Sequence, residues 1–379
     1  MLKNQPVLSL VNAACTIALA LTPTLLHADS YTQTNLVSDI PGLAANTDPN
    51  LKNPWGVSFA PTSPFWTSDQ GTGLSTLYNG AGLPQALVVT IPGSTGGPSG
   101  PTGTVFNAAG AGTFLVGGTA ASFIFDNLNG TISAWNAGAG TTAQVEATTT
   151  GAIFTGLAQA SNGTSTFLYA ANSAPGGKID VFNSSWAPTT LSGSFTDPNL
   201  PSGLVPFNVQ NIGGNLYVTY ANLGPGGAPM AGGVVDEFDA NGNFIKRIAT
   251  GGDLFAPWGI TIAPSGFGTF SNDLLIGNFG NGEILAYDAT TDLFLGILDG
   301  NNGDPLVNGA LWALETRNAS GFNSNAIYFS AGINGEANGL FGEITLTPEP
   351  ASIVGTATGL LALAFARVRR YLPRNSRIS

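Results

Sequence analysis

Charged residues are scarce in this sequence. Only 9% of its 379 residues are Asp, Glu, Lys or Arg, whereas roughly 25% is usual for a globular protein. Coiled coils and solvated disordered tails are rich in charge, so the composition excludes both as the main architecture. Glycine and proline are plentiful, at 52 and 24 residues, yet together they stay below the roughly 25–30% typical of low-complexity chains.

Basic side chains are scarcest in the interior of the chain. Residues 29–347 contain five Lys and Arg residues against 21 Asp and Glu residues, a net charge of −16. A surface of this sign repels phosphates and attracts cations. We therefore expect no nucleic-acid partner.

Cysteine and histidine occur once each, as Cys15 and His27. Both lie in residues 1–28, where Lys3 precedes an apolar stretch at positions 8–26, a pattern typical of a secretory signal peptide that is removed. The mature chain would then contain neither residue. This excludes Cys or His nucleophiles, the Ser-His-Asp triad, thiolate or imidazole zinc sites, and disulfides.

The C-terminal region carries three features in a fixed order. They are Pro348-Glu349-Pro350, an uncharged apolar stretch at 351–366, and a basic cluster formed by Arg367, Arg369 and Arg370, before a tail at 371–379. Sixteen residues in a helix span about 24 Å, slightly less than the ~30 Å hydrocarbon layer, and arginines can snorkel to make up the difference. We predict a transmembrane span here, with the arginines on the cytoplasmic side.

This order of features resembles the PEP-CTERM sorting signal of Gram-negative bacteria, over residues 347–370. The resemblance implies export through the Sec translocon, transient anchoring in the inner membrane and recognition by an exosortase. The destination would be the cell surface or the exopolysaccharide. Whether the tail is cleaved stays open.

A seven-residue pattern recurs through the interior: glycine, four residues, an aromatic residue, then Asn or Asp. The copies begin at Gly73, Gly130, Gly177, Gly233 and Gly282, with a weaker sixth at Gly339. A short strand-like run precedes each copy, and a fourth strand-like run follows a turn. Further upstream lies another apolar run, which contains Trp-Gly in two of the units, at Trp55-Gly56 and Trp258-Gly259. The unit therefore has four short strands and a period of about 50 residues.

Six such units predict an all-β protein, a six-bladed β-propeller with four-stranded blades. The sixth unit lacks a fourth strand before the PEP tail, whereas residues 31–37 form a strand without a unit. We predict that this N-terminal strand completes the last blade and closes the ring. A β-sandwich or a β-helix fits less well, because 24 strands are too many for one sandwich and a β-helix would repeat at half this period.

The Trp-Gly and glycine–aromatic–Asn/Asp motifs resemble those of NHL-type and SMP-30-type six-bladed propellers. Residues 31–345 are more closely similar to an uncharacterised family of secreted propellers that often carry PEP-CTERM tails. The predicted organisation is a signal peptide at 1–28, a propeller at 29–346, the sorting signal at 347–370 and a cytoplasmic tail at 371–379. This resemblance implies a fold and a location but no activity.

In a propeller, the loops that join one blade to the next and the loops between the second and third strands of each blade open on the same face. Acidic and amide side chains lie in both classes of loop by our strand assignment. The candidates for a ligand or metal face are Asp48, Asn53, Asp69, Asn172, Asn208, Asn222, Asp253, Asn278 and Asp299. Hard oxygen ligands suit Ca²⁺, the one cofactor that the sequence suggests. The alternative is that Asp and Asn stand in these turns for their own backbone hydrogen bonds.

Trp55, Trp258 and Trp312 at the starts of inner strands could stack on sugar rings or pack neighbouring blades together. The sequence favours a surface or matrix binding module, for which extracellular polysaccharide or surface proteins would be partners. A calcium-dependent hydrolase resembling a lactonase is the first alternative, and a scaffold without a small ligand is the second. Enzymatic activity stays open, and no catalytic residue is assigned.

Overall fold

Six β-sheets and one short hairpin account for almost all regular structure in the computed structural model, which describes residues 29–93 and 100–348. Each of the six sheets forms a blade. Within the blades the strands pair antiparallel, apart from one short parallel pair at the N-terminal strand.

The strands are as follows in chain order. Two precede the first blade: β1 Tyr31–Ser38 and β2 Asn46–Thr47. Blade 1 contains β3 Pro54–Ser58, β4 Phe65–Asp69, β5 Leu74–Tyr78 and β6 Val89–Thr90. Blade 2 contains β7 Pro101–Phe106, β10 Phe123–Asn127, β11 Thr131–Trp135 and β12 Gln144–Thr148, with the hairpin β8 Leu115–Val116 and β9 Thr119–Ala120 inserted. Blade 3 contains β13 Phe154–Ser161, β14 Thr166–Asn172 and β15 Ile179–Asn183.

The second half of the chain continues this pattern. Blade 4 contains β16 Leu204–Ile212, β17 Asn215–Leu223, β18 Pro229–Phe238 and β19 Phe244–Thr250. Blade 5 contains β20 Pro257–Ile262, β21 Leu274–Asn278, β22 Ile284–Tyr287 and β23 Phe294–Ile297. Blade 6 contains β24 Leu311–Thr316, β25 Ala326–Ala331 and β26 Leu340–Leu346, and β1 completes it. Short 3₁₀ turns lie at Ala137–Ala139, Pro225–Gly227 and Gly268–Phe270.

The first strand of each blade contacts the first strand of the next blade. The order is β3, β7, β13, β16, β20 and β24, and β24 contacts β3 again. These six strands surround the axis of the molecule, and the apolar core lies mostly between adjacent sheets. The predicted six-bladed β-propeller is therefore confirmed.

The N-terminal strand closes the ring as predicted. β1 pairs antiparallel with β26, from Tyr31 opposite Leu346 to Ser38 opposite Leu340. Tyr31 also stacks on Phe267 at 4.6 Å between ring centroids and donates its hydroxyl to the Phe267 carbonyl at 3.0 Å. The strand thus joins the first residues of the propeller to the last ones, and it contacts blade 5 as well.

Blade 3 departs from the prediction of four strands in every blade. Beyond β15 the chain makes only an isolated bridge between Phe182 and Pro188, with the Thr189 amide donating to the Val181 carbonyl at 2.9 Å. Blade 1 makes the same bridge between Tyr78 and Pro84 and continues into β6, whereas no further strand pairs with β15 in the described residues.

The repeated seven-residue pattern has a clear physical basis in blade 1. Gly73 adopts a left-handed φ of 71° at the turn before β5, and Tyr78 at the end of β5 is fully buried. The Asn79 carboxamide then accepts the amides of Ala81 and Leu83, each at 3.0 Å, which closes the next turn. The same side-chain-to-backbone turn recurs at Asn183, Asp239 and Asp288.

The Trp-Gly motif allows neighbouring blades to approach each other closely. A β-carbon on Gly259 would meet the carbonyl oxygen of Trp312 and the backbone of Leu314 in the next blade. A β-carbon on Gly56 would meet the backbone of blade 2 in the same way. Packing against the next blade therefore requires glycine at positions 56 and 259.

Candidate ligand-binding cavity

One face of the propeller contains a cavity of about 1340 Å³. Its walls include loops between the second and third strands of a blade and loops that join blades, together with the adjoining strand ends. The first class lies at 128–129, 173–176 and 223–227, and the second at 148–153 and 203–205. Both classes of loop therefore open on the same face, as the sequence predicted. We call this the upper face.

Aromatic side chains form the bottom of the cavity. Trp312 stacks between Trp55, at 3.5 Å between centroids, and Phe279, at 4.2 Å. Phe207 contacts Trp55 and Trp312 edge-on or tilted, and Trp258 meets Trp55 at 6.3 Å and 85°. We call these five rings the aromatic floor. All are at least nine-tenths buried, so they pack the blades together. Trp55, Phe207, Phe279 and Trp312 present small areas to the cavity, whereas Trp258 supports them from beneath and is not part of the lining.

Hydrogen bonds fix two of the indole rings. Trp312 Nε1 donates to Asn53 Oδ1 at 3.0 Å, and Trp258 Nε1 donates to the Thr155 carbonyl at 2.8 Å. Trp55 Nε1 is buried and has no partner in the described residues. The floor is therefore a rigid platform that a ligand would meet already formed.

The walls above the floor combine apolar and uncharged polar side chains. The apolar ones are Leu128, Ile153, Leu204, Val205 and Leu223. The uncharged polar ones are Asn129, Thr148, Thr150, Thr155 and Ser173. No Lys or Arg lines this cavity in the part of the chain that the structure describes. This lining suits an uncharged ligand that has apolar faces and hydrogen-bonding groups along its edges.

Glu336 is the one charged side chain in this lining. It lies between β25 and β26 and adopts a left-handed φ of 68°. Asn53 Nδ2 donates to Glu336 Oε2 at 2.8 Å and to Gln70 Oε1 at 2.9 Å. Burial raises the pKa of Glu336, and the Asn53 hydrogen bond opposes that rise. The predicted residue Asn53 thus connects the aromatic floor to this carboxylate.

The predicted residues Asp48 and Asp69 lie in a buried network at the start of blade 1. Asp69 accepts the Thr76 hydroxyl at 2.7 Å and the Thr67 hydroxyl at 3.0 Å. The Tyr78 hydroxyl donates to Asp48 at 2.9 Å. Burial raises the pKa of Asp69 well above its ordinary value, although the threonine hydrogen bonds lower it. These groups hold the chain after β2 to blade 1.

Asn172 and Asn278 fasten adjoining loops of the upper face to each other. Asn172 Oδ1 accepts the amides of Ile153 and Ala174, both at 3.1 Å. Asn278 donates to the Asp253 carbonyl at 2.8 Å, while the Asp253 side chain is exposed. The two asparagines therefore shape the rim of the upper face through backbone hydrogen bonds, the role that Asn usually has in turns.

The three other candidates lie apart from each other. Asn208 is buried on β16 and donates to the Trp258 carbonyl at 2.8 Å. Asn222 is half-buried on β17, and the carbonyl of Asp299 accepts the Tyr31 amide on the outer side of blade 5. Across residues 29–93 and 100–348, no group of three or more His, Cys, Asp and Glu residues could hold a metal ion.

The axial channel beneath the floor is nearly filled. Its free volume is about 10 Å³, enough for one water molecule at most. Glu315 on β24 lines it and accepts a hydrogen bond from Gln210 Nε2 at 3.2 Å. Burial raises the pKa of Glu315 to about 8, with the Gln210 hydrogen bond acting in the opposite direction.

Sequence reasoning missed both Glu336 and Glu315. Glu336 lies in a loop between the second and third strands, the class of loop that the sequence singles out, but the candidates taken there were Asp and Asn. Glu315 is an acidic residue inside the apolar run LWALET of an inner strand. An acid in such a run could have marked it in the sequence as a buried carboxylate.

The predicted signal peptide at 1–28 and the sorting signal from Glu349 onward lie outside the described residues. Among the residues that are described, no helix has the length and apolar character needed to cross a membrane.

Known structures share the propeller fold at low sequence identity. A glucose dehydrogenase aligns with 84% of this chain and 100% of its own, at a TM-score of 0.52 and 12% identity. The apo form of the soluble aldose sugar dehydrogenase from Escherichia coli aligns with the same shares at a TM-score of 0.51 and 12% identity. At this identity the likeness concerns the fold alone.

Sequence relatives are found in a giant virus, although no family model matches the chain. The uncharacterized protein L690 of Acanthamoeba polyphaga mimivirus is 28% identical, over 82% of this chain and 84% of its own length. The uncharacterized protein R648 of the same virus is 30% identical over 329 residues, which are 82% of this chain and 78% of that protein. The chain therefore belongs to the same protein family as the mimivirus protein R648.

Proposed function

We propose that the protein is a non-enzymatic binding module that holds a saccharide chain in the cavity of the upper face. The observation that carries this proposal is the cavity itself: about 1340 Å³, with an aromatic floor and walls of apolar and uncharged polar side chains. Small-molecule sites usually measure about 300–1,000 Å³, so this one has room for several linked rings.

A sugar ring complements this lining because its faces are apolar and its edge carries hydroxyl groups. Wall residues such as Ile153 and Leu223 would cover the faces, and Thr150 and Ser173 would meet the hydroxyls. The asparagine bonds that join the loops hold this arrangement in place before a ligand arrives, which reduces the entropy lost on binding.

The sequence adds a location to this proposal. A signal peptide at 1–28 and a PEP-CTERM-like tail at 347–370 would take the propeller to the cell surface or the exopolysaccharide. The Sec translocon and an exosortase would be its partners on the way. A polysaccharide would then be present where the cavity is exposed.

The calcium-dependent hydrolase is the less favoured candidate. It needs several carboxylates at one place, whereas the axial channel contributes Glu315 and the cavity contributes Glu336. No observation on the described residues favours Ca²⁺ binding over the hydrogen bonds that the predicted ligands already make.

The test is isothermal titration of the protein with β-1,4-linked hexamers of glucose, N-acetylglucosamine and glucosamine. Ile153, whose side chain is 39% exposed at the cavity wall, is changed to Arg. The added bulk and charge should weaken binding of every hexamer that binds by at least about tenfold. Leu83→Arg, at an exposed turn outside the lining, is the matched control and should bind as the unchanged protein does. Failure of all three hexamers to bind would overturn the proposed function.

A further inference from the structure

Glu336 has no cationic counterpart in the described structure. The ion pairs there join Lys52 to Asp39, Lys246 to Glu237 and Asp292, and Arg247 to Asp197 and Asp236. None includes Glu336, and no basic residue lines its cavity among the residues described. A half-buried carboxylate without a cation is costly to keep ionised, because burial removes part of its hydration.

The position of this carboxylate is nevertheless fixed. Asn53 donates to Glu336 Oε2 and is itself held by Trp312 Nε1 and Gln70 Oε1. No hydrogen bond to Glu336 Oε1 is made by the residues that the structure describes. The arrangement leaves one carboxylate oxygen for a ligand and connects it through Asn53 to the aromatic floor.

The surroundings favour a cation over a neutral donor. Residues 29–347 carry a net charge of −16, so the propeller attracts positive charge. A carboxylate is also the usual partner of an ammonium group in proteins, since the opposite charges attract and the hydrogen bond between them is strong. The rest of the cavity lining is uncharged, so the lining best fits a ligand that carries one positive group and is otherwise uncharged.

We propose that Glu336 binds a protonated amine of the ligand and that the cavity therefore selects saccharides with free amino groups. This inference rests on the proposed function, because it takes the cavity to be a saccharide site. Glu336 is the residue that distinguishes an amino sugar from its N-acetylated or hydroxyl counterpart.

The test compares three probes on the same protein by isothermal titration. They are the glucosamine hexamer, the N-acetylglucosamine hexamer and spermidine, which carries amines without a sugar ring. We expect the glucosamine hexamer to bind at least about tenfold more tightly than either of the other two, the size of effect expected from a hydrogen bond between charged groups.

Glu336→Gln removes the charge but keeps an acceptor for Asn53, so it should cancel the preference for glucosamine and leave the melting temperature nearly unchanged. Glu283→Gln is the matched control, since Glu283 is half-buried on the turn between β21 and β22 and accepts Asn281 Nδ2 at 2.8 Å, yet does not line the cavity. It should keep the preference.

The outcomes separate this inference from the proposed function. Equal binding of the glucosamine and N-acetylglucosamine hexamers, or a preference that survives Glu336→Gln, would overturn the role of Glu336 and leave saccharide binding standing. Spermidine binding as tight as the glucosamine hexamer would also overturn it, since charge alone would then explain binding.

Discussion

Glu315 faces the axial channel with Gln210 as its one hydrogen-bonding partner in the described residues. The channel has room for at most one water molecule, so the ionised carboxylate is poorly solvated. Burial therefore raises its pKa from the ordinary 4.5 to about 8, and the residue is largely protonated at neutral pH.

Glu315→Gln should flatten the dependence of stability on pH. Between pH 4.5 and about 8 the folded state keeps a proton on Glu315 that the unfolded state has lost, so this residue lowers stability as pH rises through that window. Below pH 4.5 both states are protonated and the penalty is absent. The variant should lose less stability than the unchanged protein between pH 5 and pH 8 in urea unfolding. Parallel curves for the two proteins would contradict the assignment.

Single residues were the part that the sequence predicted least well. Asp48 and Asp69 are buried in a network with Tyr78, and Asn172 and Asn278 fasten loops to each other. Short polar side chains such as these readily form hydrogen bonds with nearby backbone and hydroxyl groups, so their presence in a loop does not by itself indicate a ligand. Glu336 gains its significance from the fold, which brings a loop of blade 6 beside Asn53 of blade 1. Nothing in the sequence near Glu336 carries that information.

At the scale of strands, the inner strands depend on glycine where blades meet. A β-carbon on Gly259 would collide with the Trp312 carbonyl oxygen and press on Leu314, so the inner strands of blades 5 and 6 leave no room for a side chain at this position. Blade 6 has Ala313 at the corresponding position, after Trp312, and blade 4 has Asn208 after Phe207. The requirement for glycine therefore differs from blade to blade.

Gly259→Ala should destabilise the propeller by about 1–3 kcal/mol. The added β-carbon would push against the backbone of blade 6, which is held in its sheet and cannot move away freely. The measurement is the free energy of unfolding from denaturant titration. Gly309→Ala is the matched control: it lies in an exposed turn where an added β-carbon meets nothing within 4 Å, so it should change little. Equal effects of the two substitutions would show that close packing is not the reason for the Trp-Gly motif.

Strands were the part that the sequence predicted best. In blades 1, 4 and 5 the repeat supplies a left-handed glycine, a buried aromatic residue and a turn-closing Asn or Asp, so local chemistry and packing favour the same element. The exception is the fourth strand of blade 3, which is reduced to the bridge between Phe182 and Pro188. Blade 1 makes the same bridge with Pro84 and still forms β6, so no residue of the repeat signals the loss.

At the scale of the whole molecule, closure depends on the pairing of β1 with β26. The two strands join residues about 300 positions apart in sequence, and the Ser38 hydroxyl adds a hydrogen bond to the Gly339 carbonyl at 2.7 Å. The sequence predicted this closure because one blade lacked a strand and one strand lacked a blade. The cavity could not be predicted in the same way, since its walls come from all six blades.

A protein without residues 31–38 should be grossly destabilised, because blade 6 loses its outer strand and β26 becomes a free edge. We expect its melting temperature to fall by at least about 10 °C relative to a chain that lacks only residues 1–28. An unchanged melting temperature would refute the closure.

A saccharide site in the upper cavity is tested most directly by titrating the glucose, N-acetylglucosamine and glucosamine hexamers into the unchanged protein, Ile153→Arg and Leu83→Arg. We predict saturable binding to the unchanged protein and to Leu83→Arg, and binding at least about tenfold weaker to Ile153→Arg, because Ile153 lines the cavity and Leu83 does not. Two results would contradict the claim that the upper cavity is a saccharide site. One is equal affinity of Ile153→Arg and the unchanged protein, and the other is no binding of any of the three hexamers.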